Sequence, residues 1–126
     1  MTSSLLSLAA AFLLPGCDAG LRLDRKLPLP YGGYTYVGHP ETIYLSDKID
    51  KKDLEYVVGH ECQHVLWMKR GIKATAPFGK PPFITDYARK SAEEDRAETC
   101  ILRKLYPEKF GREYREKIRE CRKNNV

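Results

Sequence analysis

The sequence predicts a small α+β domain in which a short β-sheet or hairpin packs on helices. Residues 34–37 and 42–45 are runs of β-branched and aromatic residues, which predict two strands joined by a four-residue connection. Apolar residues recur at helical spacing in two later segments, and a helix cap predicts a third helix between them. Because two strands alone are only marginally stable, the hairpin must lie on a helix. His39, in the connection, is expected to be a solvated loop residue.

Length and composition allow one domain of ordinary globular character. The chain has 126 residues, of which 42% are hydrophobic and 10% aromatic. The formal net charge of +5 is local, since residues 103–123 hold nine Lys or Arg and four Asp or Glu, while the remainder holds thirteen of each. No nucleic-acid partner is expected from this distribution.

The N-terminus is predicted to be a targeting segment. Residues 5–14 form a ten-residue apolar run, which is too short to span a bilayer and suits the hydrophobic region of a signal peptide. The following Leu14-Pro15-Gly16-Cys17 resembles the lipobox of bacterial lipoproteins, in which the cysteine is acylated. We therefore expect a lipid anchor on Cys17 and a location in the cell envelope. Without processing, the protein would instead be soluble with an apolar arm.

These features set the expected domain boundaries. Residues 1–16 are the predicted lipoprotein-type signal peptide, residues 17–30 a polar and then Pro-rich tether, and residues 31–126 the folded domain.

The first predicted helix carries the motif His60-Glu61-Cys62-Gln63-His64. Asp50 is a good N-cap, and apolar residues recur at helical spacing until Gly71. Residues four apart lie on one helical face, so the two histidines can reach a single Zn²⁺ at about 2.0–2.1 Å. Glu61 beside them can take a proton from a metal-bound water, whose pKa the ion lowers to about 7.

A second predicted helix supplies two glutamates. Residues 72–86 contain three prolines and a glycine without helical period, which predicts a long loop. Ser91 is then a good N-cap with Glu94 at the capping-box position, and the helix covers residues 92–106. Glu94 and Glu98 share one face and repel each other unless a cation is near. The simpler interpretation is that the acidic residues interact favourably with the helix N-terminus.

The stretch from Tyr87 to Glu98, which reads Y-A-R-K-S-A-E-E-D-R-A-E, resembles the segment that follows H-E-x-x-H in the gluzincin metallopeptidases, most closely those of the anthrax lethal factor type and related small bacterial proteins. The likeness covers about residues 41–100. It departs from the family pattern at Lys90-Ser91 and at Arg96, where the family packs an apolar residue. It implies a minimal zincin-like fold with an active-site helix, a glutamate-bearing helix and a C-terminal covering helix.

The resemblance also implies a ligand set for one zinc ion. Glu94 would be the third ligand beside His60 and His64. Three protein ligands leave a fourth position open, which is the arrangement of catalytic rather than structural zinc. Glu98 would hold a ligand histidine by its other ring nitrogen.

The implied function is a zinc-dependent peptidase that acts on a peptide or protein substrate. Glu61 would activate the water, and Tyr87 would hydrogen-bond the oxyanion or the leaving group. The strand at residues 42–45 could be the edge that pairs with an extended peptide, and the Pro-rich loop could border the cleft. The competing hypothesis is a non-catalytic zincin-fold protein that binds metal or a partner. The small domain favours it, but binding alone requires neither Glu61 nor Tyr87.

A third predicted helix follows Pro107 and covers the others. It has a single apolar stripe, formed by Phe110, Tyr114, Ile118 and Cys121. Opposite charges four residues apart, such as Glu113 and Lys117, predict a solvated outer face. The alternative is a basic face held against anionic lipid or nucleic acid.

The cysteines leave two questions open. Cys62 lies about 200° around its helix from His60 and is expected to pack as a small hydrophobe, although its thiolate could be a rival ligand. Cys100 and Cys121 could pair in an oxidising compartment, but their spacing alone does not decide it.

Overall fold

A computed structural model of the chain describes residues 2–27, 32–124 and 126, and it has the predicted α+β class. It divides into two compact units, Met1–Arg70 and Gly71–Val126. In the described residues, the helices all lack the length and apolar character needed to cross a membrane. The helices are α1 Thr2–Ala10, α2 Leu54–Arg70, α3 Ala92–Leu105 and α4 Arg115–Lys123, and the strands are β1 Gly20–Asp24, β2 Gly33–Tyr34 and β3 Thr42–Ser46.

The sheet of the first unit has the order β1-β3-β2. The predicted antiparallel pairing is confirmed, since Tyr34 of β2 lies opposite Tyr44 of β3, but β2 ends at Tyr34 instead of residue 37. β1 pairs in parallel with β3 along its whole length. The idea that residues 42–45 form a free edge for a peptide is therefore wrong, because β3 is the central strand of the sheet.

β1 lies inside the segment that was expected to be a tether. That expectation is wrong for residues 20–24, where Leu21 and Leu23 alternate and are half-buried, while residues 28–31 lie outside the described part. α1, within the predicted signal peptide, contacts β1 and α2, and its Ala9 is fully buried. Removal of residues 1–16 as a signal peptide stays a prediction.

β3 lies on α2, and the core of the first unit forms there. Ile43 and Leu45 alternate along β3 and are fully buried, as the two-residue period of a strand requires. α2 follows a 3₁₀ turn, Lys51–Asp53, with Asp50 in the N-cap position but without a side-chain cap hydrogen bond. The helix stops at Gly71, whose φ of +65° favours glycine. The buried apolar side chains of α2 include those of Leu54, Val58 and Val65.

Two disulfides join these elements. The bond between Cys100 and Cys121 links α3 to α4, which decides the pairing that spacing left open. Cys62 is fully buried as expected, but it is bonded to Cys17 and is not a free thiol, so that sulfur is not a rival ligand. A Cys17 sulfur in this bond cannot also carry a thioether-linked lipid. The disulfide and the lipid are thus alternatives for this sulfur, and acylation of Cys17 stays a prediction.

Disulfide mapping distinguishes the two fates of Cys17. In protein purified from an oxidising compartment, we expect digestion without reduction to give peptides that join Cys17 to Cys62 and Cys100 to Cys121. Thiol titration of the unfolded protein should then find no free thiol. A mature chain that begins at a lipid-modified Cys17, with Cys62 as a free thiol, would contradict this arrangement.

In the second unit, α3 begins as predicted, because Ser91 Oγ accepts a hydrogen bond from the Glu94 backbone N–H at 3.1 Å. The C-terminal helix starts later than expected, since Pro107–Lys109 and Arg112–Tyr114 are 3₁₀ turns. The predicted apolar stripe is only partly buried. Tyr114 and Cys121 are buried, whereas Phe110 and Ile118 are half-buried.

Lys117 of α4 is buried, so its assignment to a solvated face is wrong. Its ammonium lies 2.7 Å from Asp95 Oδ2 and donates to the carbonyl oxygens of Lys80 and Pro82. Three acceptors thus match the three donors of the ammonium. Asp95 Oδ2 also accepts from the Gly79 backbone N–H at 2.9 Å. This Asp95–Lys117 pair holds the Pro-rich loop against α3 and α4.

Candidate metal centre

α2 places the two motif histidines on one face, one turn apart. The Nε2 atoms of His60 and His64 are 3.2 Å apart, and the ring planes are inclined at 76°. His60 is buried and His64 is half-buried. Two nitrogens that bind one tetrahedral Zn²⁺ at about 2.05 Å each lie about 3.3 Å from one another. The observed separation therefore fits a pair of zinc ligands.

α3 places the two glutamates, and each carboxylate accepts a hydrogen bond from a hydroxyl. The Tyr87 hydroxyl donates to Glu94 Oε2 at 3.1 Å. Thr85 Oγ1 donates to Glu98 Oε1 at 2.9 Å, and Glu98 is fully buried. These hydroxyl donors stabilise the charged carboxylates, which offsets part of the repulsion between residues four apart.

His60, His64 and Glu94 form a group that could hold a metal ion. The first two lie on α2 and the third lies on α3. Two imidazole nitrogens and one carboxylate oxygen are ligands that zinc accepts. These residues could therefore hold a metal ion, while the identity of the ion and the role of each residue as a ligand stay predictions.

The structure does not test the predicted role of Glu98. Its observed partner within the second unit is Thr85. A bond from Glu98 to a ligand histidine stays a prediction.

Glu61 is held by a residue that the sequence did not single out. Its side chain is buried, and Oε1 accepts a hydrogen bond from Thr35 Oγ1 at 2.8 Å. Thr35 belongs to the predicted strand at residues 34–37 but lies just beyond the end of β2. The alternation of a strand predicts that Thr35 points away from its two neighbours, but it cannot name Glu61 as the partner.

Comparisons with protein-family models, curated proteins and solved structures found no match. The likeness to gluzincins therefore depends on the motif residues themselves.

Arg96 is one of the residues at which the sequence departs from the gluzincin pattern, and the structure shows how its charge is accommodated. Arg96 is buried, and its Nη1 donates to the Ile72 carbonyl oxygen at 2.9 Å. Burial lowers the pKa of Arg96 to about 10, which leaves the guanidinium charged at neutral pH. A long side chain of this kind can bury its aliphatic stem while its charged head bonds a carbonyl oxygen.

Proposed function

We propose that this protein is a zinc-dependent peptidase. The observation that carries the proposal is the group formed by His60, His64 and Glu94, with Glu61 next to the first histidine in the chain. Two neutral imidazoles and one carboxylate leave one tetrahedral position open, as catalytic zinc sites do. A structural site would be closed by a fourth protein ligand. The substrate class is the peptide bond, as the likeness to gluzincins implies.

A bound Zn²⁺ would supply Lewis-acid polarisation of the scissile carbonyl and would lower the pKa of the attacking water to about 7. Glu61 would act as the general base, because its carboxylate is not a proposed ligand. It would accept the proton of the water and pass it to the leaving amine. Its burial strengthens this role, since a charge in a site of low polarity interacts more strongly with a developing charge.

Tyr87 would donate a hydrogen bond to the oxyanion or to the leaving group. In the structure its hydroxyl donates to Glu94. To act on substrate, this hydroxyl must give up its hydrogen bond to Glu94 and donate to a substrate oxygen instead. A preorganised donor of this kind contributes roughly 10² to 10³ in rate.

We also propose that the protein works in an oxidising compartment, the cell envelope. The two disulfides support this location, because such bonds persist outside the reducing cytoplasm. The proposal does not depend on a lipid at Cys17.

The metal content tests this function first. Protein purified without chelator should contain close to one zinc per chain, and His60→Ala, His64→Ala and Glu94→Ala should each lose it. Elemental analysis of the folded variants measures this directly. Removal of the metal by a chelator should stop cleavage of a broad peptide library, and added Zn²⁺ should restore it.

Glu93→Ala is the matched control for Glu94→Ala, because Glu93 is an exposed acid in the same helical turn. It should retain full zinc occupancy. Full occupancy in Glu94→Ala would reject the third ligand. Stoichiometric zinc without any cleavage would favour the non-catalytic binding protein.

A further inference from the structure

We propose that Thr35 is a positioning residue that holds the carboxylate of Glu61. The contact is a hydrogen bond of 2.8 Å from Thr35 Oγ1 to Glu61 Oε1, and it joins residues 26 positions apart in the chain. A rotating carboxylate is a poor base, because proton transfer requires a fixed distance and direction. As an inference about catalysis, this rests on the proposed peptidase function, but the contact can be tested without it.

The neighbours of Thr35 fix the position of its hydroxyl. The ring of Tyr34 stacks on Tyr44 of β3 with centroids 4.8 Å apart, and Tyr36 packs edge-on against both at 5.1 and 5.6 Å. The aromatic pairs on either side of Thr35 therefore anchor its backbone to the sheet. Such pairs stabilise a structure beyond the area that they bury.

A hydrogen bond also fixes the side chain of Tyr34. Its hydroxyl donates to Asp24 Oδ2 at 2.9 Å, at the end of β1. The Lys26 backbone N–H and the Tyr34 hydroxyl together hold the pKa of Asp24 below its usual value. The carboxylate is thus charged at neutral pH and available to this bond. Asp24 of β1 thus holds Tyr34, and Tyr34 directly precedes Thr35 in the chain.

The hydrogen bond from Thr35 gives the two carboxylate oxygens of Glu61 different roles. The hydroxyl occupies Oε1, which leaves Oε2 to accept the proton of the attacking water. The hydrogen bond from Thr35 fixes the direction of the carboxylate through Oε1. A hydroxyl is needed for this, and a methyl group of the same volume cannot replace it.

Thr35→Val tests the catalytic consequence. We expect kcat to fall about 10- to 100-fold at unchanged KM and unchanged zinc content, because the ligands and the substrate contacts remain. Thr35→Ser should restore kcat to within about threefold, since it returns the hydroxyl. Thr42→Val makes the same exchange at a half-buried position of β3 and should leave kcat unaltered. In the Glu61→Gln background, Thr35→Val should cost little more.

A double-mutant cycle on the metal-free protein tests the contact without any activity. Thr35→Val should raise the equilibrium constant of unfolding about tenfold when Glu61 is present and by much less in Glu61→Leu. Urea unfolding at pH 7 measures the four proteins.

The outcomes separate this inference from the function on which it rests. If the wild type contains zinc but cleaves nothing, the peptidase proposal fails, and coupling in the cycle still supports the Thr35–Glu61 contact. Equal effects of Thr35→Val in both backgrounds would overturn the contact. If the wild type cleaves peptides and Thr35→Val retains its full kcat, the positioning role is wrong.

Discussion

Glu61→Gln should keep one zinc per chain and lose peptide hydrolysis by several orders of magnitude. Gln has the shape of Glu and can still accept the hydrogen bond from Thr35, so the fold and the metal ligands are preserved. It cannot accept a proton from water. General-base catalysis contributes about 10² to 10⁴ in rate, and the same carboxyl must also protonate the leaving amine, so the two losses combine. Initial rates on a peptide library, at matched zinc content, measure the effect.

Two further variants serve as a control and as a comparison for Glu61→Gln. Glu55→Gln makes the same change at an exposed position of α2 and should have wild-type activity. Tyr87→Phe should reduce the rate by roughly 10² to 10³, which is the effect of one lost oxyanion donor. Equal hydrolysis by wild type and Glu61→Gln would show that Glu61 is not the base.

Lys117→Met should destabilise the protein by about 3–5 kcal/mol, which is the usual cost of removing one partner of a buried ion pair. Asp95 is fully buried and would lose the ammonium that compensates its charge. The carbonyl oxygens of Lys80 and Pro82 would also lose their donor. Since small domains have only about 5–15 kcal/mol of stability in total, this change is severe. Urea unfolding at pH 7 gives the difference in free energy.

Lys123→Met is the matched control, because Lys123 is exposed on the same helix. Its effect should remain within about 0.5 kcal/mol. Asp95→Asn combined with Lys117→Met should cost less than the sum of the single changes, because neither charge is then buried alone. A loss in Lys117→Met no larger than that of the control would contradict the assignment of Asp95–Lys117 as a stabilising pair.

Local signals predicted the parts of the fold that local chemistry controls. The period of apolar residues predicted α2, and Gly71 predicted where it ends. The hydroxyl of Ser91 predicted where α3 begins. The histidine pair follows from the same source, since a helix necessarily places His60 and His64 together. Glu94 was predicted as a ligand only by the resemblance to gluzincins.

The errors fall where a residue's environment depends on a partner far away in the chain. Lys117 has the spacing of a surface ion pair with Glu113, and only the fold shows that Asp95 takes its ammonium instead. Strand β1 is short and only half-buried, so the alternation of its apolar and polar residues is weak. The strand β3 with which it pairs lies about 20 residues later in the chain. The hydroxyl of Thr35 is likewise uninformative until α2 brings Glu61 to it.

The position of β1 beside β3 determines how the chain can be shortened. A gene trimmed to begin at residue 31 would delete β1 and Cys17, and one side of β3 would then have a row of unpaired backbone N–H and C=O groups. Such a row is a template for another chain, so the shortened protein should self-associate through β3 or precipitate. Its Cys62 would become a free thiol, able to form mixed disulfides between copies. The smallest soluble form of this protein should therefore retain both Cys17 and residues 20–24.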